Sequence, residues 1–363
     1  MALSKVDLAN QVENQLPQSL VADNVNFRNI MINGDMSIAQ RGTSFSSISS
    51  GNSNYPVDRF RTNVNTAGTW TISQDTTVPT GQGFAKSFKM DCTTANASLS
   101  AGSYIVIQQL VEAQNLQYLK FGTSSAESLT LSFWVRSNKT GTYICEINSS
   151  DSNRAFSKSY TIDSADTWEK KTITYPGDTT GVINNDNGVG LEFNFWLAAG
   201  SNYSSGSLQT SWSTRTNANM APGQVNLADS TSNEFYLTGV QLEAGTSASD
   251  FEFLPVDVNL QRCLRYTQVL PPSNFSGQFY ASTHARFYDQ LEPQMRSSPS
   301  FSFSGSLTNA VEEVGVAVRT PTNVTLNNSN ERSFGLTAEG MSGATSQNMA
   351  QLGSITITFS SEL

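Results

Sequence analysis

A single histidine, His284, and only three cysteines, Cys92, Cys145 and Cys263, are spread over 363 residues. The cysteines are odd in number, far apart and without metal spacing, so neither a disulfide framework nor a zinc site is expected and all three read as buried thiols. A Ser/His/Asp or Cys/His triad would have to use His284. No G-x-S-x-G elbow accompanies it, so this histidine reads as a surface or hydrogen-bonded residue.

Charge is scarce too. Asp, Glu, Lys and Arg make up 14% of the chain, with 21 basic against 30 acidic residues and a net charge of -9. There is no basic run of the kind that tracks phosphates, so nucleic acid is not an expected partner. No apolar stretch approaches the roughly 20 residues that span a bilayer, which argues against membrane insertion. The amino terminus "MALSKVDLAN" lacks the basic and apolar regions of a signal peptide, so synthesis in the cytoplasm is expected, with sequons such as "NAS", "NKT" and "NYS" unmodified.

What the chain does have is aromatic: 5 Trp, 11 Tyr and 20 Phe sit in a background of Ser, Thr, Asn, Gln and Gly. Disordered chains are poor in aromatics and rich in charge, so this composition points to folded β-structure with a neutral polar surface, in a length that accommodates two domains. In residues 4–16, Val6, Ala9, Val12 and Leu16 recur at helical spacing, Ser4 and Asp7 are placed as a capping box, and Pro17 stops the run. One short helix is expected. It is too short to be stable alone, so residues 1–25 read as an anchor that docks on another chain or a larger assembly.

From Asn26 the pattern changes to alternation. "LTLSFWVR" puts Leu129, Leu131, Phe133 and Val135 on one face, and "LEFNFWLA" does the same with Leu191, Phe193, Phe195 and Leu197. "FYLTGVQLE" slips register at Gly239, where a β-bulge is expected. With "YIVIQQL", "KKTITY" and "GTWTIS" there are about eight to ten strands, enough for two packed sheets over 26–258. "LPVDVNLQRCLRYTQVLPP" holds a possible short helix around Leu260 to Tyr266 and reads as a linker, 259–272. Alternation returns in "GQFYAST", "SFSFSG", "EVGVAVRT" with Val314, Val316 and Val318, and "SITITFS" with Ile355, Ile357 and Phe359, which makes 273–363 a smaller β-domain. No internal repeat suggests a solenoid or propeller.

Chemistry is thin. "GQGFAKS" lacks the G-K-[ST] ending of a phosphate loop. Asp58, Asp91, Asp178, Asp186, Glu192 and Glu243 are formal candidates for a paired-carboxylate glycosidase, but each lies in or beside a turn or on an outward strand face, and sequence does not give their separation. "NNDNG" at 184–188 fails the calcium-loop pattern and reads as a tight turn. No catalytic residue, metal or cofactor is expected. What survives is recognition: Tyr203, Trp212 and Arg215 lie in the polar segment "NYSSGSLQTSWSTRTNANMAPG", which offers flat rings among planar polar groups, the surface on which sugars stack. The competing reading is that Trp212 plugs the end of the sandwich.

"NIMINGDMSIAQRG", "YPVDRF", "LSFWVRS", "TWEKKTITYPGDTTG", "GLEFNFWLAAGS", "APGQVNL", "FYLTGVQLEAG" and "FEFLPVDVNLQRCLRY", in this order over residues 27–266, resemble the landmarks of a family of tailed-bacteriophage tail-fibre and receptor-binding proteins and echo jelly-roll carbohydrate-binding modules. "MALSKVDLANQV" is similar to the starts of phage fibre proteins, and "EPQMRSSPSFSFSG" resembles a strand of a second β-module. The resemblance implies an all-β jelly-roll sandwich followed by a smaller C-terminal β-sandwich, in a non-enzymatic virion fibre that binds host-surface glycan. Its implied partners are other copies of itself as a homotrimer and, through residues 1–25, a virion tail or adaptor protein. The alternatives are a structural head, neck or baseplate fibre and a polysaccharide depolymerase. No ligand set comes with the resemblance; on the smaller domain, Tyr280, His284 and Arg286 in "YASTHARFY" are the candidate tip surface. "NIMI" and "DMSI" alternate around Asn33-Gly34, so this stretch is expected as strands entering the first sheet, with Asp35 a turn residue.

Overall fold

In the computed structural model residues 27–363 are described, and the helix expected over 4–16 lies outside them. The chain divides into two compact units at Pro255/Val256. Eleven strands build the first: β1 (Ser44–Val57), β2 (Phe60–Asp75), β3 (Ser87–Thr94), β4 (Tyr104–Glu112), β5 (Leu129–Ser137), β6 (Gly141–Ser149), β7 (Arg154–Ile162), β8 (Glu169–Tyr175), β9 (Val189–Ala199), β10 (Ser213–Thr214) and β11 (Glu234–Ala244).

They pair antiparallel in the order β10-β7-β6-β9-β4-β2-β3-β11-β5-β8, with β1 also on β2. The long strand β2 turns the corner of the sandwich. Its first half pairs with β4 from Arg61 to Asn65 and its second half with β3 from Thr69 to Asp75. Between them Gly68 has φ +78, and a Cβ there would lie 2.5 Å from the Thr94 carbonyl, so only glycine fits the bend. The two halves of the curled sheet face each other through aromatic contacts: Phe133 of β5 meets Phe195 of β9 at 5.2 Å, Tyr143 of β6 meets Phe235 of β11 at 5.7 Å, and Phe156 of β7 meets Tyr175 of β8 at 5.5 Å. This is the jelly-roll sandwich. The inward residues named from the alternation, Leu129, Leu131, Phe133, Val135, Leu191, Phe193, Phe195 and Leu197, are all fully buried. The bulge also stands where expected: β11 slips register on β5 between Thr238 and Gln241, with Gly239 at φ +62. Cys92, Cys145 and Cys263 are buried thiols, none of them in a disulfide.

The stretch from Asn29 to Gly42 departs from expectation: it forms no strand. Asn33 replaces backbone pairing with its side chain, whose Nδ2 donates to the carbonyls of Ile38 and Asp58 and whose Oδ1 accepts from the Ile38 N–H. The segment is laid along β11 through Ile30 N–H to Leu242 O and Val240 N–H to Gly34 O, at 2.8 and 2.9 Å. Met31 and Met36 are driven into the core, and Gly34-Asp35 is a turn.

The second unit begins with helix α1 (Val256–Leu264), followed by β12 (Thr267–Leu270), β13 (Phe275–Ala281), β14 (His284–Gln290), β15 (Ser300–Gly305), β16 (Val311–Glu313), β17 (Ala317–Arg319), β18 (Asn323–Ser329), β19 (Ser333–Glu339), β20 (Met349–Leu352) and β21 (Ile355–Ser360). Residues 259–272, expected as a linker, are instead part of this unit, because β12 pairs with β21. A three-stranded sheet, β12-β21-β15, packs on a seven-stranded one, β17-β16-β20-β13-β14-β19-β18, with Phe359 of β21 4.4 Å from Phe334 of β19. "EVGVAVRT" is also corrected. It is a tight hairpin around Gly315 rather than one strand, and Val314, Val316 and Val318 are exposed. Ile355, Ile357 and Phe359 are buried as expected. Among the described residues, no helix is long and apolar enough to cross a membrane.

Candidate functional site

Alternation that sends one face of β2, β4, β9, β6 and β7 into the core sends the other outward, and register aligns those outward residues across strands. Arg61 lies opposite Gln108, Gln108 opposite Asn194, Asn194 opposite Glu146 and Glu146 opposite Ser157. A row of five polar residues thus crosses the sheet. Gln108 Nε2 donates to Asn194 Oδ1 at 2.6 Å and to Glu192 Oε1 at 2.8 Å. Asn194 Nδ2 donates to Glu192 Oε1 at 2.8 Å and to Glu146 Oε2 at 3.3 Å.

The segment 201–221 covers one end of this row. It begins with one helical turn, Ser201–Ser204, and folds back so that Gly206 N–H meets Ala218 O and Ala221 N–H meets Tyr203 O. Ser213 and Thr214 pair with β7 at the sheet edge. Arg215 then reaches over β7 and donates from Nε to Glu146 Oε1 at 3.1 Å. Glu146 has no exposed surface, and its Oε2 also accepts the Trp196 indole N–H at 3.1 Å. Burial pushes its carboxyl above the ordinary range, against the opposing pull of Arg215.

Above the row stands an aromatic wall. Tyr104 and Tyr203 meet edge to face at 5.2 Å, and Trp196 lies 5.5 Å from Tyr203. Trp196 is buried, whereas Tyr104 and Tyr203 keep part of their rings open. Row, wall and covering segment enclose a groove of about 250 Å³, lined by Asn63, Tyr104, Glu192, Tyr203, Arg215 and Asn217 among others. Arg215 Nη1 and Nη2 and Glu192 Oε2 have no partner among the described residues, so the groove presents donors and an acceptor beside two rings. Asn148 Oδ1, cross-strand from Glu192, is buried without a partner as well. Such an arrangement suits a ligand with an apolar face and a rim of hydroxyls.

Of the residues singled out from sequence, Tyr203 and Arg215 meet here. Trp212 does not. Its ring packs on Phe121 at 5.6 Å and Phe156 at 6.0 Å, and its Nε1 donates to the Pro176 carbonyl, so it plugs the sandwich. Tyr104, Gln108, Glu146 and Asn194 were missed, although outward Glu192, Asn194 and Trp196 on "LEFNFWLA" carried a signal: a carboxylate, an amide and an indole follow one another on one face of a single strand. Of the carboxylates weighed, Asp58 is buried under Gln40, Asp178 pairs with Arg154 at 2.6 Å, and Asp186 closes a turn onto Gly188 N–H. Glu243 is held by Ser249. Among the described residues, no cluster of His, Cys, Asp and Glu suits a metal ion.

In the second unit Tyr280, His284 and Arg286 do come together, on the β13–β14 hairpin. The Arg286 guanidinium lies 4.3 Å over the Tyr280 ring and the His284 ring is 5.6 Å from it. His284 Nδ1 is 2.6 Å from Thr283 Oγ1, and its Nε2 stands 4.0 Å from Glu339.

No family model matches the chain, and no curated protein matches it. Solved structures similar to it include the enzymatically active domain of bacteriophage CBA120 tailspike protein 4, at 12% identity over 61% of this chain and 22% of that chain, with a TM-score of 0.30. A family 11 carbohydrate-binding module from Clostridium thermocellum, in complex with a mixed-linked tetrasaccharide, is 12% identical over 57% of this chain and 99% of its own, with a TM-score of 0.28. The family 22 carbohydrate-binding and catalytic modules of a Clostridium thermocellum xylanase, complexed with xylohexaose, match at 12% identity over 58% of this chain and 30% of theirs, with a TM-score of 0.28.

Proposed function

We propose that the groove of the first unit binds a carbohydrate chain, and that the protein is a bacteriophage tail fibre that adsorbs to host-cell surface glycan without cleaving it. The observation that carries the binding reading is the placement of Glu192 and Arg215, each with a hydrogen-bonding atom to offer, around the half-open rings of Tyr104 and Tyr203. A pyranose lays its C–H face on such rings while its hydroxyls pair with the carboxylate and guanidinium.

Cleavage by paired carboxylates would need a second open carboxylate beside Glu192, and Glu146 is not open. A glycosidase acid must reach the glycosidic oxygen. Glu146 is fully enclosed and both its oxygens already accept hydrogen bonds, from Arg215, Trp196 and Asn194. The fibre reading draws on the ordered landmarks over 27–266 and on two β-units in series. A shallow groove of this size holds sugar weakly, on the order of millimolar to micromolar, and several copies on one axis would multiply that through avidity.

The test is a glycan array with the full chain, repeated as adsorption to candidate host cells, with the supernatant assayed for released oligosaccharide. Binding and adsorption without release support the proposal. Absence of both overturns it, and binding with release replaces the fibre reading by a depolymerase.

A further inference from the structure

The second unit contains a feature that the groove does not explain. Tyr288 on β14 is 59% exposed, unusual for a ring on a regular strand. It is nevertheless held in place. On the neighbouring strand β19 its cross-strand partner is Gly335, and a Cβ built there would lie 2.7 Å from Tyr288 Cε1 and 2.4 Å from Asn328 Oδ1. Glycine therefore leaves a trough across β19, and the tyrosine ring and the Asn328 amide both lie over it. One face of the ring rests on backbone while the other faces solvent.

That open face looks into a depression of about 820 Å³, lined by Gln268, Leu270, Tyr288, Asp289, Gln290, Glu292, Asn328, Ser333 and Phe334. The lining contains two carboxylates and three side-chain amides but no lysine or arginine. The side chains of Gln290, Glu292 and Asn328 make no hydrogen bond to any described residue. An open ring, fixed in orientation and ringed by planar polar groups with vacant donors and acceptors, is the requirement for stacking a pyranose and reading its hydroxyls.

We infer that this depression is a second carbohydrate site, distinct from the groove of the first unit, and that it takes uncharged pyranosides. The ligand class follows from the lining. Asp289 and Glu292 accept hydroxyl hydrogens but repel a uronate or phosphate, and the lining itself holds no cation. Tyr288 is the platform, and Gly335 sets its position.

The experiment is calorimetric titration of the full chain with uncharged hexasaccharides of glucose, mannose, galactose and N-acetylglucosamine, and with hexagalacturonate as the charged counterpart. Five proteins are compared: the parent, Tyr288→Ala, Tyr288→Trp, Gly335→Ala and Arg215→Ala. The inference predicts that at least one neutral hexasaccharide binds and that its affinity for this site falls at least tenfold in Y288A. It also predicts that Y288W retains the site and that hexagalacturonate does not occupy it. Gly335→Ala should weaken the same site by displacing the ring, with the tyrosine still present. If every neutral sugar that binds does so unchanged in Y288A, or if none binds, the inference is overturned. Failure of the groove reading looks different. R215A would then match the parent, while Y288A would still abolish the remaining site.

Discussion

Arg215 Nε donates to Glu146 Oε1 at 3.1 Å, and Glu146 is completely shielded from solvent. Together with the pairing of Ser213 and Thr214 on β7, this contact fastens the covering segment 201–221 to the sheet beneath it, and it aims the rest of the guanidinium at the groove. The carboxylate, enclosed, can accept hydrogen bonds but not reach a ligand, so it serves as a post for Arg215 and for the indole of Trp196.

Removing one partner of a buried pair leaves the other charge without compensation. Arg215→Ala is therefore expected to destabilise the first unit by on the order of 3 kcal/mol, with Arg215 itself partly exposed and so at the lower end for such pairs. The double variant Arg215→Met, Glu146→Leu should recover most of that loss. All five tryptophans lie before residue 256, so urea unfolding followed by tryptophan fluorescence reads this unit alone. A double variant no more stable than R215A would contradict the pairing.

Glu146 also sets a pH dependence of definite sign. Burial raises its carboxyl above the ordinary value of 4.5, so the folded chain holds this proton more tightly than the unfolded one. Its contribution to stability is full below 4.5 and declines as pH rises through the higher folded value. Glu146→Gln, which cannot ionise, should flatten that decline in a series of fluorescence-monitored unfolding curves. Parallel curves for parent and variant would refute the assignment.

Glu313 behaves in the opposite way in the second unit. The Thr345 N–H, the Arg319 guanidinium and the Asn348 amide all bind its carboxylate and draw its pKa down from 4.5 to about 2. This contribution is present above 4.5 and is lost as pH falls toward 2. The protection factor of the Thr345 amide, its exchange rate corrected for the intrinsic pH dependence, should fall across that window in the parent and should not change with pH in Glu313→Gln, which cannot ionise.

Gly34 tests the staple on β11. A Cβ at this position would meet the Val240 carbonyl oxygen at 2.0 Å, and backbone cannot move aside as a side chain can. Gly34→Ala should cost on the order of 3 kcal/mol as an overpacked contact, seen as an earlier tryptophan-fluorescence transition. An unchanged transition would show that the segment is not pinned there.

The strands were legible because a half-buried strand repeats every two residues, and "LTLSFWVR" and "LEFNFWLA" keep that period without interruption. The bulge at Gly239 was legible for the same reason, as a slip in the period. Asn29 to Gly42 misled because its apolar residues alternate too, yet the Asn33 side chain takes over the hydrogen bonds that a partner strand would supply. The groove was only half legible. Tyr203 and Arg215 stand out in a polar segment, but Gln108, Asn194 and Glu146 become one row only through register between strands distant in sequence. Trp212 is indistinguishable from a binding aromatic until its neighbours Phe121 and Phe156 are known. Tyr288 falls on the outward face by alternation with buried Ala285 and Phe287, but the trough that seats its ring was not legible, because it is made by Gly335 across the sheet.

The most direct test of the central claim is the affinity of the groove for glycan with one ring removed. Tyr203→Ala takes away a half-open ring that is outside the main core, so the folding transition should stay close to that of the parent. For a sugar that the array identifies and that Y288A still binds, the account predicts at least a tenfold loss of affinity in Y203A. Undiminished affinity in a folded Y203A protein would contradict it.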